Sequence, residues 1–345
     1  MGHFELRTAT DEDWAGIAEG FARATDGNAR RIRQHVAYAL RDNPHGSSSV
    51  LAADPDGRII AHMGVTHVPM QVLGEPLLFG RFHSCFIEPA YRTGGVHGLF
   101  AALDDRFRET FEIRERLAAV FGQWDETDWW HLRRARGHDA VATSIDLRRP
   151  ADRPTLELES DGIVITQGGD GPVASSSVPA SSLDVGSCGV RHDGVFDAWR
   201  AAVPGRSDRI WQAWRAGERS GVAITRDTRG VRSILDWAVQ PEDTASVRAL
   251  LHAIIVDARV AVHTRFWTSD KFTMLQFQEA GFDVVAGPEV YLSVRSVLPH
   301  VHHLWLWQTW HVTLADVGLR PMPRLGVGEP IVYPPSPGTL GGRQR

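Results

Sequence analysis

Cysteine and lysine are scarce in this chain of 345 residues, and long apolar runs are absent. The two cysteines, Cys85 and Cys188, are too few for a disulfide framework, and their separation does not match the ligand spacing of a metal site. No stretch of about 18 apolar residues is present to span a bilayer, and the polar segment 1–14 differs from a secretory signal. We therefore expect a cytoplasmic protein without a membrane partner or a metal.

Positive charge is not concentrated in any one segment of the sequence. The formal net charge is -5, and Lys271 is the only lysine among basic residues that are otherwise arginine. Proteins that bind nucleic acids neutralise phosphates with clustered Lys and Arg. The sequence therefore argues against a nucleic-acid partner.

The length exceeds that at which a single hydrophobic core usually stops growing, so two domains are expected. With 43% hydrophobic and 23% charged residues, both halves have enough apolar residues for a core. A shift toward Gly and Ser after Pro150 indicates a linker between them. The predicted limits are a first domain at 1–148, a linker at 149–185, a second domain at 186–318 and a Pro/Gly-rich tail at 319–345.

Hydrophobic periodicity predicts a mixed α/β order in the first half. A strand at 4–8 precedes two helices ending near residues 24 and 40. An antiparallel meander follows, with strands expected at 49–54, 59–69, 70–79 and 81–88. A helix from Leu99, a buried strand at 117–124 and a helix from Glu126 then complete the unit.

The second half repeats this order in outline, which indicates a tandem pair of similar domains. The expected elements are helices at 194–202 and 207–216, strands at 220–226 and 229–240, a helix at 244–259, a strand at 260–267 and a helix at 269–280. The predicted fold class is α/β, with a mixed α+β sheet in each of two tandem domains.

One segment between a buried strand and a helix is typical of phosphate binding. Its residues are Arg92, Thr93, Gly94, Gly95, Val96, His97 and Gly98. Small residues at a helix start expose successive backbone N–H groups at the positive end of the helix dipole. The alternative is a simple strand–helix connection, because glycine-rich turns before helices are common.

This segment resembles the coenzyme A pyrophosphate loop of the GNAT N-acyltransferase superfamily. Arg92 and Gly95 match the first two positions of that loop, the third falls on His97, and Gly98 follows one residue later. The resemblance covers about the first 148 residues and implies acyl-coenzyme A as the cofactor. It also implies that a backbone N–H near Ser84, Cys85 or Phe86 polarises the thioester carbonyl.

The tandem layout resembles the long-chain N-acyltransferases that modify the glucosamine of teicoplanin-type glycopeptide antibiotics. The resemblance implies a small-molecule amine acceptor, either an amino sugar or a glycopeptide. Acetyl transfer to aminoglycosides or polysaccharide sugars is one alternative, and a non-catalytic binding protein of the same fold is another. In the second half, Pro241 to Ser246 carries acids in place of the loop glycines, so that copy is not expected to hold a pyrophosphate.

The acceptor amine must be neutral to attack, so a general base or a water chain should reach it from the side opposite the cofactor. His192 is the candidate, with a surface histidine as the alternative interpretation. Asp125 and Glu126, at the end of the strand 117–124, are candidates for orienting the acceptor, or else they cap the following helix.

Aromatic and sulfur-containing side chains offer further candidates with structural alternatives. Trp124, Trp129 and Trp130 are placed to stack on a sugar, although tryptophans at this spacing are more often core residues. Cys85 is interpreted as a buried strand residue in preference to a nucleophile, because direct transfer needs no covalent step.

Overall fold

The computed structural model describes most of the chain outside the loops and the C-terminal segment. The described residues are 4–25, 27–92, 96–112, 117–125, 133–143, 145–155, 162–168, 188–191, 194–204, 208–228, 230–239, 242–266, 271–285 and 290–311. Of the predicted site residues within these ranges, Val96, His97, Trp124 and Asp125 are described by their backbone alone.

Fifteen strands lie in these ranges. They are β1 (Glu5–Thr8), β2 (Ser47–Ala53), β3 (Ile59–Val72), β4 (Glu75–Ile87), β5 (Ala119–Asp125), β6 (Asp139–Thr143), β7 (Ile145–Arg149), β8 (Ile163–Gly168), β9 (Cys188–Val190), β10 (Asp208–Arg215), β11 (Glu218–Thr228), β12 (Val231–Val239), β13 (Ala261–Phe266), β14 (Asp283–Val285) and β15 (Val290–Ser296).

The helices alternate with these strands. They are α1 (Trp14–Thr25), α2 (Ala29–Val36), α3 (Val96–Phe107), α4 (Gly194–Ala201), α5 (Thr244–Ala258), α6 (Lys271–Glu279) and α7 (His303–Thr309). Short 3-10 turns lie at Asp11–Asp13 and Pro89–Tyr91, and π-helical turns at Ala37–Arg41 and Arg108–Glu112 extend α2 and α3.

The first sheet has the order β1-β2-β3-β4-β5-β15-β6, with β9 paired to β3. Its strands are antiparallel except for the parallel pair of β4 and β5, which α3 connects. The β3–β4 turn lies at Leu73 and Gly74, both with positive φ, as a tight hairpin with right-handed twist requires. The expected breaks near residues 70 and 80 were wrong, because β3 and β4 are each continuous.

The second sheet has the order β14-β7-β13-β12-β11-β10-β8. Its parallel pair, β12 and β13, is connected by α5, so the second sheet repeats the arrangement of the first. The predicted helix at 207–216 was wrong, since Asp208–Arg215 is β10. Trp211 and Ala213 are buried there in the alternation of a strand.

The two halves of the sequence exchange strands between the two sheets. β7 follows β6 after a single residue, yet it pairs with β13 and β14 in the second sheet. In return, β15 lies between β5 and β6 in the first sheet. β8 lies within the predicted linker and forms an edge of the second sheet. The predicted domain limits stay a prediction, whereas the tandem α/β fold class is confirmed.

Four apolar clusters hold helices against the sheets. Phe100, Leu103 and Phe107 of α3 are buried on one face of the first sheet. On the opposite face, Ile17 of α1 packs with Leu51 and other strand residues, while α4 and α7 cover the remainder of that face. Burying a side chain of this size contributes about 1.5–3 kcal/mol. Among the described residues, no helix combines the length and the apolar character needed to cross a membrane.

Candidate functional site

The two central parallel strands of the first sheet diverge. β4 and β5 are paired only where Phe79, Gly80 and Arg81 face Ala119, Val120 and Phe121. Beyond this point, residues 82–87 of β4 stay paired with β3, and residues 122–125 of β5 stay paired with β15. We call the opening between these two unpaired edges the β4–β5 wedge. Its backbone edges can accept an extended ligand through strand-like hydrogen bonds.

A β-bulge lies on the β4 edge of this wedge. His62 of β3 pairs with Phe86 and Gly64 pairs with His83, so two residues of β4 lie opposite the single Met63. One of these two residues is Ser84, whose φ of 53° places it in the left-handed region. Bulges and left-handed non-glycine residues cost free energy and concentrate at functional sites. The bulge therefore marks this part of β4 as a candidate site.

The buried imidazole of His62 supports the bulge. Its Nδ1–H donates to the carbonyl of Ser84 at 2.8 Å, and the side chain is almost completely buried. Burial lowers the pKa of His62 to about 4, so the ring is neutral at neutral pH. A Cβ on Gly64 would lie 2.6 Å from His62 Cε1 and 2.7 Å from Ser49 Oγ. Only glycine at position 64 leaves room for the ring.

Polar side chains at the bulge have different surroundings. The Nδ1 of His83 and the Oγ of Ser84 are 2.7 Å apart, and both residues lie on the wedge edge of β4. Cys85 packs against the apolar cluster under α3, and burial raises the pKa of its thiol. The thiol is therefore protonated at neutral pH.

The start of α3 lies next to the wedge. Arg92 donates from Nε to the carbonyl of Ile87 at 2.8 Å and from Nη2 to that of Ala24 at 3.1 Å. These bonds tie the connection after β4 to the end of α1. A Cβ on Gly98, in the first turn of α3, would meet no atom of the described residues within 4 Å. With respect to these residues, the helix start is open on the side of Gly98.

A buried ion network lies beneath α3 and includes a side chain from the second half. Arg295 of β15 donates to Asp104 of α3 at 2.9 Å and also contacts Glu112. Arg133 lies 3.7 Å from Asp104, and its guanidinium stacks 3.6 Å from the ring centroid of Phe82. Burial lowers the pKa of Arg133 to about 10, so this arginine stays charged. The network ties β15 to α3, and β15 in turn is paired with the outer edge of β5.

The corresponding helix start in the second sheet carries its own carboxylate. Asp243 accepts from the backbone N–H of Ser246 at 3.1 Å and from its hydroxyl at 2.7 Å, and Arg215 donates to Asp243 at 2.5 Å. An anion at a helix start is stabilised by the dipole and the free N–H groups. The side chain of Asp243 thus takes the position that a phosphate would need.

The structure locates some of the predicted site residues and leaves others outside its described ranges. Ser84, Cys85 and Phe86 lie on the wedge edge of β4. The backbones of Trp124 and Asp125 lie on β5, opposite Tyr291 and Val290 of β15. Outside the described residues are Thr93, Gly94, Gly95, Glu126, Trp129, Trp130 and His192. The roles predicted for all these residues stay predictions.

Sequence reasoning missed His62, His83 and Gly64. Each lies within an apolar strand, where the chain pattern does not reveal the cross-strand partner. The bulge at Ser84 brings these three residues together, and no sequence motif predicts a bulge at a serine. Among the described residues, no group of three His, Cys, Asp or Glu side chains is placed to hold a metal ion.

Comparison with solved structures identifies the class of fold. A conserved protein of unknown function and probable N-acyltransferase from Enterococcus faecalis aligns with a TM-score of 0.64 and 12% identity, covering 86% of this chain and 73% of that one. A GCN5-related N-acetyltransferase from Anabaena variabilis aligns with a TM-score of 0.61 and 13% identity, at the same coverages of 86% and 73%. The chain therefore has the fold of the GNAT N-acyltransferases.

A tandem member of that class matches over nearly its whole length. The tandem GNAT protein from the clavulanic acid biosynthesis pathway aligns with a TM-score of 0.55 and 14% identity, covering 86% of this chain and 99% of that one. Comparison with models of known protein families gives no match, and no curated protein matches by sequence. At these identities the likeness shows the fold.

Proposed function

We propose that this chain is an acyl-coenzyme A-dependent N-acyltransferase acting on the amine of a small-molecule acceptor. The observation that carries the proposal is the β4–β5 wedge, with the left-handed Ser84 on one edge and the start of α3 beside it. Acyl-coenzyme A, when bound, supplies a thioester carbonyl that a neutral amine can attack. The described residues fit such a ligand: two unpaired strand edges suit the amide groups of an extended arm, and an open helix start suits a diphosphate.

The residues of the chain have separate roles in this proposal. A backbone N–H near Ser84, Cys85 or Phe86 is the donor that stabilises negative charge on the reacting oxygen. His62 fixes the Ser84 carbonyl, so the backbone of this segment stays oriented. The segment from Arg92 to Gly98 holds the diphosphate, and Arg92 anchors it to β4 and α1.

The acceptor we propose is an amino sugar on a secondary metabolite, such as a glycopeptide antibiotic, and the acyl group is a long chain. The tandem layout and the clavulanic acid pathway relative support a secondary-metabolite acceptor. Asp125, Glu126 and the tryptophans Trp124, Trp129 and Trp130 are the residues proposed to contact it. Acetyl transfer to an aminoglycoside or a polysaccharide sugar is the alternative within the same class.

Isothermal titration with coenzyme A tests the core of the proposal. We expect the wild type to bind and Arg92→Glu to bind about tenfold or more weakly, because charge-assisted hydrogen bonds contribute about 1.5–3 kcal/mol. Arg30→Glu, at an exposed position in the first turn of α2, is the matched control and should bind like the wild type. Absence of binding by the folded wild type would overturn the proposed function.

Turnover identifies the substrates. Thiol release from acetyl- and decanoyl-coenzyme A is measured with a panel of amino sugars, aminoglycosides and a glucosamine-bearing glycopeptide. Faster release with decanoyl-coenzyme A and the glycopeptide supports the long-chain assignment, and the reverse preference supports the acetyl-transfer alternative. Binding without acceptor-dependent release from any member of the panel favours a non-catalytic protein of this fold.

A further inference from the structure

Glu88 lies where the chain leaves β4 and turns toward α3. Its backbone N–H donates to the carbonyl of Ile60 at 2.9 Å, and its own carbonyl accepts from the N–H of Tyr91 at 2.9 Å. The residue is 5% exposed, so its carboxylate is buried beside the turn at Pro89–Tyr91. A buried carboxylate is costly unless a cation and hydrogen bonds compensate it. The partners of Glu88 therefore decide how firmly this turn is held.

Arg23, in the last turn of α1, provides the close ion pair. Its Nε donates to Glu88 Oε1 at 2.6 Å, and its Nη2 donates to the carbonyl of Ile59 at 3.1 Å. Arg58 is a second cation near Glu88, but it lies 3.7 Å from Oε2 and also donates to Asp54 at 3.1 Å. Replacing Arg23 would therefore leave Glu88 with a more distant and shared counter-charge.

The bond from Arg23 has a counterpart that runs in the opposite direction. Arg92, which follows the turn, donates to the carbonyl of Ala24 in the same last turn of α1 at 3.1 Å. This helix is packed closely on the sheet, because a Cβ on Gly20 would lie 2.5 Å from the ring of Phe86. Two arginines thus join the two ends of the turn to one firmly packed helix.

The charges around this turn favour an anion at the start of α3, to which it leads. Arg23, Arg58 and Arg92 provide three cations against the two carboxylates of Asp54 and Glu88. An anion binds a helix start through N–H groups, and a site that is ordered beforehand loses less conformational entropy on binding. Holding the turn in place therefore favours binding of a diphosphate beside it.

We propose that Arg23 is a positioning residue for acyl-coenzyme A, acting through its ion pair with Glu88 on the connection between β4 and α3. The proposal rests on the proposed function and deepens it. With the pair intact, the connection is ordered before the diphosphate arrives. Because Arg23 acts at the diphosphate end of the ligand, its loss should weaken cofactor binding and leave the chemical step unchanged.

Isothermal titration with coenzyme A tests this role. We expect Arg23→Gln to raise the Kd about tenfold, and Arg23→Lys, which keeps a cation beside Glu88, to raise it less. Arg33→Gln is the matched control, since Arg33 pairs with Glu19 of α1 at 3.0 Å and both side chains are more than half exposed. The control should bind coenzyme A like the wild type.

A double-variant cycle separates action through Glu88 from direct attraction of the phosphates. In a Glu88→Gln background, Arg23→Gln should change the Kd by less than twofold, because its partner is already gone. An equal tenfold loss in both backgrounds would overturn action through Glu88. A lower binding stoichiometry with an unchanged Kd would indicate partial unfolding and would also overturn the positioning role.

The outcomes also separate this proposal from the proposed function. Coenzyme A binding by the wild type, with a change of less than threefold in Arg23→Gln, would overturn the role of Arg23 and leave the proposed function standing. Absence of binding by the folded wild type would overturn the proposed function itself. Where the panel yields an acceptor, Arg23→Gln should raise the KM for acetyl-coenzyme A with kcat unchanged, and a fall in kcat alone would contradict the positioning role.

Discussion

At the scale of single residues, the candidate site depends on a buried imidazole in a space that glycine leaves free. His62 reaches the Ser84 carbonyl at 2.8 Å because position 64, beside its ring, has no side chain. The left-handed φ at Ser84 is costly for a residue with a Cβ, and the bond from His62 helps to offset that cost. Replacing His62 or Gly64 should therefore disturb the backbone conformation of the bulge.

Gly64→Ala should lower the free energy of unfolding by about 1–3 kcal/mol, the usual cost of adding a methyl group to a packed interior. The new Cβ would lie 2.6 Å from His62 Cε1, so the ring must move away from the Ser84 carbonyl. Urea unfolding measures the change. Gly98→Ala, where a Cβ meets no atom of the described residues within 4 Å, is the matched control and should be neutral or stabilising. Equal stability of Gly64→Ala and the wild type would contradict the packing described here.

The neutral state of His62 makes stability depend on pH. Its pKa is about 4 in the folded protein because of burial, and about 6.5 when unfolded, so the unfolded chain binds the proton more tightly. The stabilisation is complete above pH 6.5 and is lost as the pH falls toward 4. The wild type should lose about 3 kcal/mol more than His62→Gln between pH 7 and pH 4. Urea titrations of both proteins check this, and parallel losses would show that His62 is charged when folded.

At the scale of elements, parts of the site follow from the sequence and other parts depend on long-range pairing. The change from strand to helix period around Arg92 to Gly98, with its glycines, predicts the β4–loop–α3 order. The wedge itself depends on where β4 and β5 stop pairing, and that follows from their other neighbours, β3 and β15. Strand partners distant in sequence leave no local pattern, so neither β15 as a wall of the site nor the Ser84 bulge was predicted.

The sequence also did not predict that charged residues on β15 and β7, the two strands exchanged between the sheets, are buried. The sequence pattern gives no sign that Arg295 on β15 is buried. In the structure it is 4% exposed and lies between Asp104 and Glu112. Asp146 on β7 is the reciprocal case, buried against Arg265 at 2.6 Å in the second sheet. Each half therefore supplies a charge that the other half needs.

Arg295→Met should lower the free energy of unfolding by about 3–5 kcal/mol, because it removes the buried cation that contacts both Asp104 and Glu112. Chemical denaturation measures this, with Arg248→Met as the control, since Arg248 pairs with Glu279 at a half-exposed surface site. Exposed pairs contribute about 0–1 kcal/mol. A loss as small as that of the control would mean that the remaining arginines neutralise both carboxylates unaided: Arg136 lies 2.9 Å from Asp104 and Arg108 lies 3.8 Å from Glu112.

At the scale of the whole molecule, short connections carry the chain between the two sheets. Residue 144 alone separates β6 in the first sheet from β7 in the second, and four residues separate β14 in the second from β15 in the first. Loosening β7 must therefore act on β6, which pairs with β15, and β15 pairs with the β5 wall of the wedge. The second half supports the site even though its own helix start is occupied by Asp243.

Hydrogen exchange tests this coupling through Asp146→Asn. Burial alone would raise the pKa of Asp146, but hydrogen bonds from Arg265 and His263 outweigh it and lower the pKa to about 2, so the native group is a carboxylate. Its neutralisation should speed amide exchange in β13, and also in β6 and β15 of the first sheet, since sub-global opening spreads through elements that depend on each other. Asp283→Asn, at an exposed pair with Arg153, should act only near β14. Faster exchange confined to the second sheet in Asp146→Asn would show that the halves open independently.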